Sequence, residues 1–343
     1  MKRWIRASCP ARRLDQERQL AKIVFQGRAF DCAPGQSVLE CLTAHGVGGP
    51  SACGVGVCQT CTMLGVAGKV DPAAQVGLKP AVAAEGYFLA CQFRPVDDVE
   101  VSLEQRPGST MTARVLSLEP LNRDIVRVRL APEEELAYRA GQFLRLYRDE
   151  RTSRCYSLAS VYGVDDYLEL HVRVIPGGRV SGWVHGQLRT GDTVRISQAT
   201  GTAYYTNRGW DRGLCLLGTG SGLAPLYGIV RDALHQGHVG PVWLFHGSRE
   251  ASGLYLQDEL RALAARFANF RYVPCVSEGS CAPGQLPGAV HEVALTHVVE
   301  LAGWSVHLCG HPEMVTRAKR DAYLAGASIQ DIHSDPFLPS GPA

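Results

Sequence analysis

The sequence predicts three domains in series: a small mixed α+β module, an antiparallel β-barrel and an open, parallel α/β sheet. Three observations carry that prediction. At 343 residues and 37.1 kDa the chain exceeds what one hydrophobic core supports. Between about Met111 and Arg208, apolar and polar residues alternate with the period of strands. From Gly213 onward, short apolar runs alternate with helix-like stretches, the pattern of an open α/β fold.

The chain divides accordingly into a basic tail (1–20), a first module (21–104), a linker (105–110), the barrel (111–208) and the α/β domain (209–343). The module begins AKIVFQGRAFDCAPGQSVLECLTAHG, with two apolar strands around Gly27 and a turn at Pro34-Gly35. Ser37 with Glu40 forms a capping box for a helix expected to end at Gly46. In the barrel, VRVRL (126–130), YLELHVRV (167–174) and DTVRIS (192–197) read as strands turned by intervening Gly and Pro. In the last domain GLCLL, VWLFHG, RYVPCV and WSVHLCG read as buried parallel strands. LAPLYGIVRDALHQG and LYLQDELRALAARF read as helices between them.

Composition narrows the functional classes. Hydrophobic residues make up 45% and charged residues 20%, and the net charge of +2 gives no reason to expect nucleic acid or a membrane surface. The tail carries six Lys/Arg against two acids and the first module five against eight, a polarity that a protein partner could read. Residues 213–230 are uncharged but hold five glycines, which fits a strand, loop and helix better than a membrane span. Met1 to Leu20 lacks the apolar run of a secretory signal, and twelve cysteines are too few for a disulfide scaffold. A cytoplasmic protein with thiols in metal or redox sites is therefore expected.

Those thiols are concentrated in SACGVGVCQTC (51–61). Cys53, Cys58 and Cys61 are spaced C-x4-C-x2-C, and Cys91 follows in FLACQF after 29 more residues. This is the plant-type [2Fe–2S] spacing. Four thiolates must converge on two irons, and Gly54 and Gly56 let the loop wind closely and aim N–H groups at the sulfurs. Zinc is the alternative, although it favours two short cysteine pairs. Residues 21–104 resemble plant-type ferredoxins, which implies a β-grasp fold. Gly54 stands where many such relatives carry arginine, a difference bearing on potential or docking. Cys41 is read as a helix residue.

RCYSLAS (154–160) offers Arg154 for a pyrophosphate, Tyr156 for an aromatic ring and Ser157 as a hydroxyl near a flavin N5. Arg154 and Tyr156 share one strand face. In HVRVIPGGRVSGWV (171–184) a strand leads to a Gly177-Gly178 turn whose exposed amides suit phosphate oxygens, with Ser181 then opening a helix. The order R-x-Y-S, then V-R-V-x-P-G-G-x-x-S, resembles the FAD barrel of the ferredoxin–NADP⁺ reductase superfamily. The resemblance implies FAD, with FMN as alternative, bound by Arg154, Tyr156, Ser157, Val172, Arg173, Gly177, Gly178 and Ser181. Relatives often have a G-P-x-G turn where this chain has QATGTAYY (198–205), and Gly201 keeps the flexible position.

LLGTGSGLAP (216–225) lies between a strand and a helix, and its glycines let backbone approach a pyrophosphate or nicotinamide. Its spacing is not the Rossmann fingerprint. It resembles the G-T-G-x-G-x-A-P loop of the same superfamily, placing Gly218, Thr219, Gly220 and Gly222 at the coenzyme. HLCGHPEMV (307–315) resembles the family's C-G-x-P string, implying that Cys309 acts with Ser157 beside the nicotinamide and flavin N5. Gly310, Pro312 and Met314 then shape the pocket. HGSRE (246–250) falls where the adenosine ribose would sit. Ser248 and Arg249 favour NADPH there and Glu250 opposes them, leaving NAD(P)H. Phe337, by the same resemblance, covers the flavin.

The order of these domains resembles the single-chain reductase components of bacterial multicomponent oxygenases, such as benzoate dioxygenase reductase and soluble methane monooxygenase reductase. That implies a monomeric oxidoreductase passing electrons from NAD(P)H to FAD, to the [2Fe–2S] cluster and on to an oxygenase or hydroxylase component. Two other readings stay open: a reductase for non-oxygenase chemistry such as deoxysugar dehydration, and a redox sensor whose cluster state controls a binding partner.

Overall fold

The computed structural model describes residues 20–47, 54–56, 59, 61–78, 80–103, 110–150, 152–206 and 209–337. The tail up to residue 19, Cys53, Cys58 and linker residues 105–109 lie outside the described residues.

The first module runs β1 (Ala21–Phe25), β2 (Arg28–Cys32), α1 (Val38–Ala44), β3 (Thr62–Ala67), α2 (Pro80–Ala84), β4 (Tyr87–Leu89) and β5 (Val99–Ser102). Its sheet has the order β2-β1-β5-β3-β4, with β1 and β5 parallel, which makes it the expected β-grasp. The capping box is formed: the Glu40 N–H donates to Ser37 Oγ at 3.2 Å and the Ser37 N–H to the Glu40 carboxylate at 2.7 Å. The helix ends at Ala44, just before Gly46 turns left-handed at φ 71°. Its face of Val38, Cys41 and Leu42 packs into a core with Ile23, Phe88 and Phe93.

The barrel comprises β6 (Thr110–Pro120), β7 (Ile125–Pro132), β8 (Phe143–Tyr147), β9 (Ser153–Ser157), β10 (Leu168–Arg173), α3 (Arg179–Gly186) and β11 (Thr193–Ser197). The strands form an antiparallel sheet in the order β10-β7-β6-β11-β8-β9. A bridge between Leu158 and Leu170, with the Ala159 N–H donating to the Glu169 carbonyl at 2.9 Å, joins the two ends. Leu144, Leu146, Leu158 and Leu170 fill the interior. Helix α3 starts at Arg179, earlier than the start expected at Ser181, because the Ser181 hydroxyl accepts the Ile175 N–H at 3.2 Å and ties the helix to the preceding turn.

The third domain runs β12 (Leu214–Thr219), α4 (Leu223–His235), β13 (Val242–Ser248), α5 (Gln257–Arg266), β14 (Phe270–Val276), β15 (Leu286–Pro287), α6 (Val290–His297), β16 (Ser305–Gly310), α7 (Pro312–Leu324) and β17 (Ile332–Pro336). All pairings are parallel, in the order β15-β14-β13-β12-β16-β17. Leu214 and Leu216 face one core and Cys215 and Leu217 the other, so β12 is buried on both sides. The chain starts in mid-sheet at β12, runs outward to β15, then returns to β16 on the other flank. Between β12 and β16 lies the topological switch point, whose carboxyl end opens a ligand crevice. Among the described residues no helix is long and apolar enough to cross a membrane.

Candidate active site

In the first module Cys61 and Cys91 are both buried, at 3% and 4% exposure. The Cys91 N–H points at Cys61 Sγ at 3.5 Å, and Gln92 Nε2 lies 3.3 Å from Cys91 Sγ. Sulfurs met by N–H donors in a dry setting suit thiolate ligands of a cluster. Gly54 and Gly56 take φ 67° and 82°, and Gln59 also is left-handed at φ 54°, backbone conformations that suit a tight turn. The described residues fit a [2Fe–2S] group.

On the barrel, β9 lies antiparallel to β8, with Ser157 opposite Phe143, Tyr156 opposite Leu144 and Arg154 opposite Leu146. Ser157 is buried, while Arg154 and Tyr156 are half-buried on one shared face. Burial pushes the Tyr156 phenol well above its ordinary pKa, so it stays neutral. After β10, Gly177 turns at φ 70° and α3 begins behind Gly178 without a side-chain cap. Its first-turn amides are therefore offered outward, as a pyrophosphate requires.

At the switch point two turns interlock through backbone. A Cβ on Gly222 would stand 2.4 Å from the Cys309 carbonyl, and one on Gly310, at φ 119°, would stand 2.4 Å from the Thr219 carbonyl. The Thr219 hydroxyl accepts the His311 N–H at 3.0 Å. Gly218 admits Leu226 of α4, whose Cδ1 is 2.7 Å from the Cβ position. Cys309 is fully buried, and burial together with Asp335 pushes its thiol far up, leaving a neutral S–H rather than a thiolate. The Phe337 N–H donates to the Gly310 carbonyl at 2.7 Å, which brings the C-terminal aromatic to this turn.

The barrel reaches the same place. Arg173 Nη1 lies 3.3 Å from the Cβ position of Gly220, and Gly228 of α4 sits against the Leu158 and Ala159 carbonyls that follow Ser157, 3.1 Å from its Cβ position. Ser248 and Arg249 stand apart, one strand further along the carboxyl edge at the end of β13. Arg249 is exposed, with Nε 4.0 Å from a Glu278 carboxylate.

A buried polar chain between the domains escaped the sequence reading. Glu169, 2% exposed, meets Arg129 Nε at 3.1 Å, Arg127 Nε at 3.4 Å and His171 Nε2 at 3.0 Å. His171 Nδ1 is 3.2 Å from the Tyr255 hydroxyl, which donates to the Gly220 carbonyl at 3.4 Å. Burial pushes the Glu169 carboxyl up, but the His171 hydrogen bond and the two arginines outweigh it and draw the pKa down to about 2. Burial lowers His171, which Glu169 offsets only in part. Glu169 and His171 are alternate polar positions of YLELHVRV; Tyr255 and Glu259 of the third domain pack over this polar cluster, and no local signal announces that.

Buried sulfurs in a tight loop, a barrel strand with an uncapped helix behind it and a glycine-walled crevice suit an electron-transfer flavoprotein reductase. The comparisons agree. Residues 23–96 match the 2Fe-2S iron-sulfur cluster binding domain, 113–205 the oxidoreductase FAD-binding domain and 216–320 the oxidoreductase NAD-binding domain. The reductase subunit of an aromatic O-demethylase from Amycolatopsis sp. is 36% identical over 92% of this chain and 97% of its own. The ferredoxin–NAD(P)⁺ reductase component of the naphthalene 1,2-dioxygenase/salicylate 5-hydroxylase systems of Ralstonia sp. is 33% identical over 90% and 95%. The crystal structure of the Amycolatopsis cytochrome P450 reductase GcoB superposes with a TM-score of 0.68 at 35% identity, covering 93% of this chain and 99% of that one. The chain belongs to the family of single-chain reductases that join a [2Fe–2S] ferredoxin domain to a ferredoxin–NADP⁺-reductase-type FAD and NAD pair. It is an NAD(P)H oxidoreductase using [2Fe–2S], FAD and NAD(P)H.

Proposed function

We propose that this chain takes electrons from NAD(P)H and delivers them singly to the oxygenase or hydroxylase component of a multicomponent oxygenase. The reading is carried by the interlocked turns at the switch point, which Arg173 meets from the barrel and Phe337 from the C-terminal strand. The relatives' names, drawn from dioxygenase, hydroxylase and O-demethylase systems, support an oxygenase as acceptor. We assign residues 21–104, 111–208 and 209–343 to the three domains and regard the chain as a cytoplasmic monomer with no nucleic-acid partner.

Each residue then has a task. Arg154, the amides of α3 and the segment of Val172, Arg173, Gly177, Gly178 and Ser181 would hold the FAD pyrophosphate. Tyr156 would pack against the flavin and Ser157 would offer it a hydroxyl. Gly218, Thr219, Gly220, Gly222 and Gly310 leave backbone-lined room for the coenzyme. Cys309, kept as a neutral thiol, walls the nicotinamide without competing as a nucleophile, and Phe337 keeps water out. Ser248 and Arg249 face the adenosine ribose, where Glu250 and Glu278 oppose a ribose phosphate. Cys53, Cys58, Cys61 and Cys91 ligate the cluster. Bound flavin supplies the means of turning a two-electron donor into one-electron delivery.

Substituting Cys61→Ser tests the route. Cluster absorbance and cytochrome c reduction should disappear while NAD(P)H-dependent ferricyanide reduction persists. Undiminished cytochrome c turnover in that variant would refute it.

A further inference from the structure

Arg145 has no part in the sites described so far. Its neighbours Leu144 and Leu146 are buried in the barrel core, so strand alternation points Arg145 outward from β8. Its guanidinium Nη2 donates to the backbone carbonyl of Gln59, in the first module. In sequence that carbonyl lies between the cluster cysteines Cys58 and Cys61. The turn is otherwise held from within its own module. The Thr62 N–H and hydroxyl donate to the same carbonyl, and the Gln59 side chain donates to the Gly77 carbonyl at 2.8 Å. On the barrel side Arg145 stands opposite Cys155, between the Leu144–Tyr156 and Leu146–Arg154 pairs, and its N–H is anchored on Ser197 Oγ at 2.9 Å.

We propose that Arg145 is a positioning residue that clamps the cluster loop onto the strand pair bearing the flavin site, and so governs electron passage between the two domains. The proposal rests on the reading of the cysteines and of β9 given above. Two physical effects follow. A charge-assisted hydrogen bond across the boundary favours the docked arrangement of the two domains. A guanidinium on a carbonyl between two ligands also favours the more negative, reduced cluster.

The full-length protein carrying Arg145→Met or Arg145→Lys provides the test. In the Met variant, hydrogen exchange at the Thr62 amide should quicken about tenfold, the effect of losing one such bond. The cluster midpoint potential should fall, and cytochrome c reduction should drop several-fold while ferricyanide reduction holds. Lysine keeps the charge and should restore most of the potential and part of the exchange protection. Unchanged Thr62 exchange in the Met variant overturns the clamp, whatever the metal content, because that measurement needs no cluster. Wild-type protein free of iron and acid-labile sulfide would instead overturn the reading of the cysteines, with the exchange comparison still deciding the clamp.

Discussion

The cysteine loop of the first module and the turns at the switch point both depend on glycine, for opposite reasons. Gly54 sits at φ 67° with nothing within 4 Å of its Cβ position, so it serves a backbone conformation. Gly222 has an ordinary φ of −62°, yet its Cβ would stand 2.4 Å from the Cys309 carbonyl, so it serves for want of volume. The first demand is local and is set by three cysteines that must converge from one short loop. The second exists only because two distant turns meet at the end of β12 and β16. The turns differ in support as well. The carbonyl of Gly220, in the turn after β12, is linked through Tyr255 and His171 to the buried Glu169 carboxylate. The Cys61 and Cys91 sulfurs of the first module instead meet a backbone N–H and the Gln92 amide.

This difference can be broken at its strongest point first. Glu169→Gln leaves Arg127 and Arg129 facing a neutral amide in a buried site, and should cost about 3–5 kcal/mol in thermal unfolding. It should also loosen the Gly220 turn while leaving cluster absorbance intact. The same carboxylate shapes the acid limb of stability. Its folded pKa of about 2 lies below its ordinary 4.5, so its contribution is complete above pH 4.5 and fades as pH falls toward 2. The Gln variant should show a flatter stability profile across that window. A wild-type slope retained in the variant would remove Glu169 from this role.

Gly222→Ala is expected next in size, at roughly 1–3 kcal/mol, because the neighbouring atoms are backbone and cannot swing aside. Coenzyme affinity should weaken in that variant, measured by NAD(P)H titration of flavin fluorescence, with the iron content unchanged. Gly54→Ala should be smallest, about 1 kcal/mol of backbone strain in open space. If urea midpoints ranked Gly54→Ala above Gly222→Ala, the contrast between conformation and volume would fail.

Much of this was legible in the chain. The strands of the barrel and of the parallel sheet fall where alternation and apolar runs put them, and the Ser37–Glu40 box opens α1 as expected. The start of α3 was misplaced, since the Ser181 hydroxyl is used by the turn before it. Glu169, His171, Tyr255 and Arg145 gave no signal. His171 and Tyr255 are separated by 84 residues, and Arg145 and Gln59 by 86, so neither pair leaves a local pattern.

Residue identity and short spacing determined the chemistry that this protein can host, because thiolate ligation and turn conformation are properties of neighbouring residues. Only tertiary structure decided which backbone atoms touch at the switch point, which charges are sealed between domains and which side chain reaches across to the cluster loop. Those outcomes depend on close packing and desolvation, which arise when distant segments are brought together and the water between them is excluded.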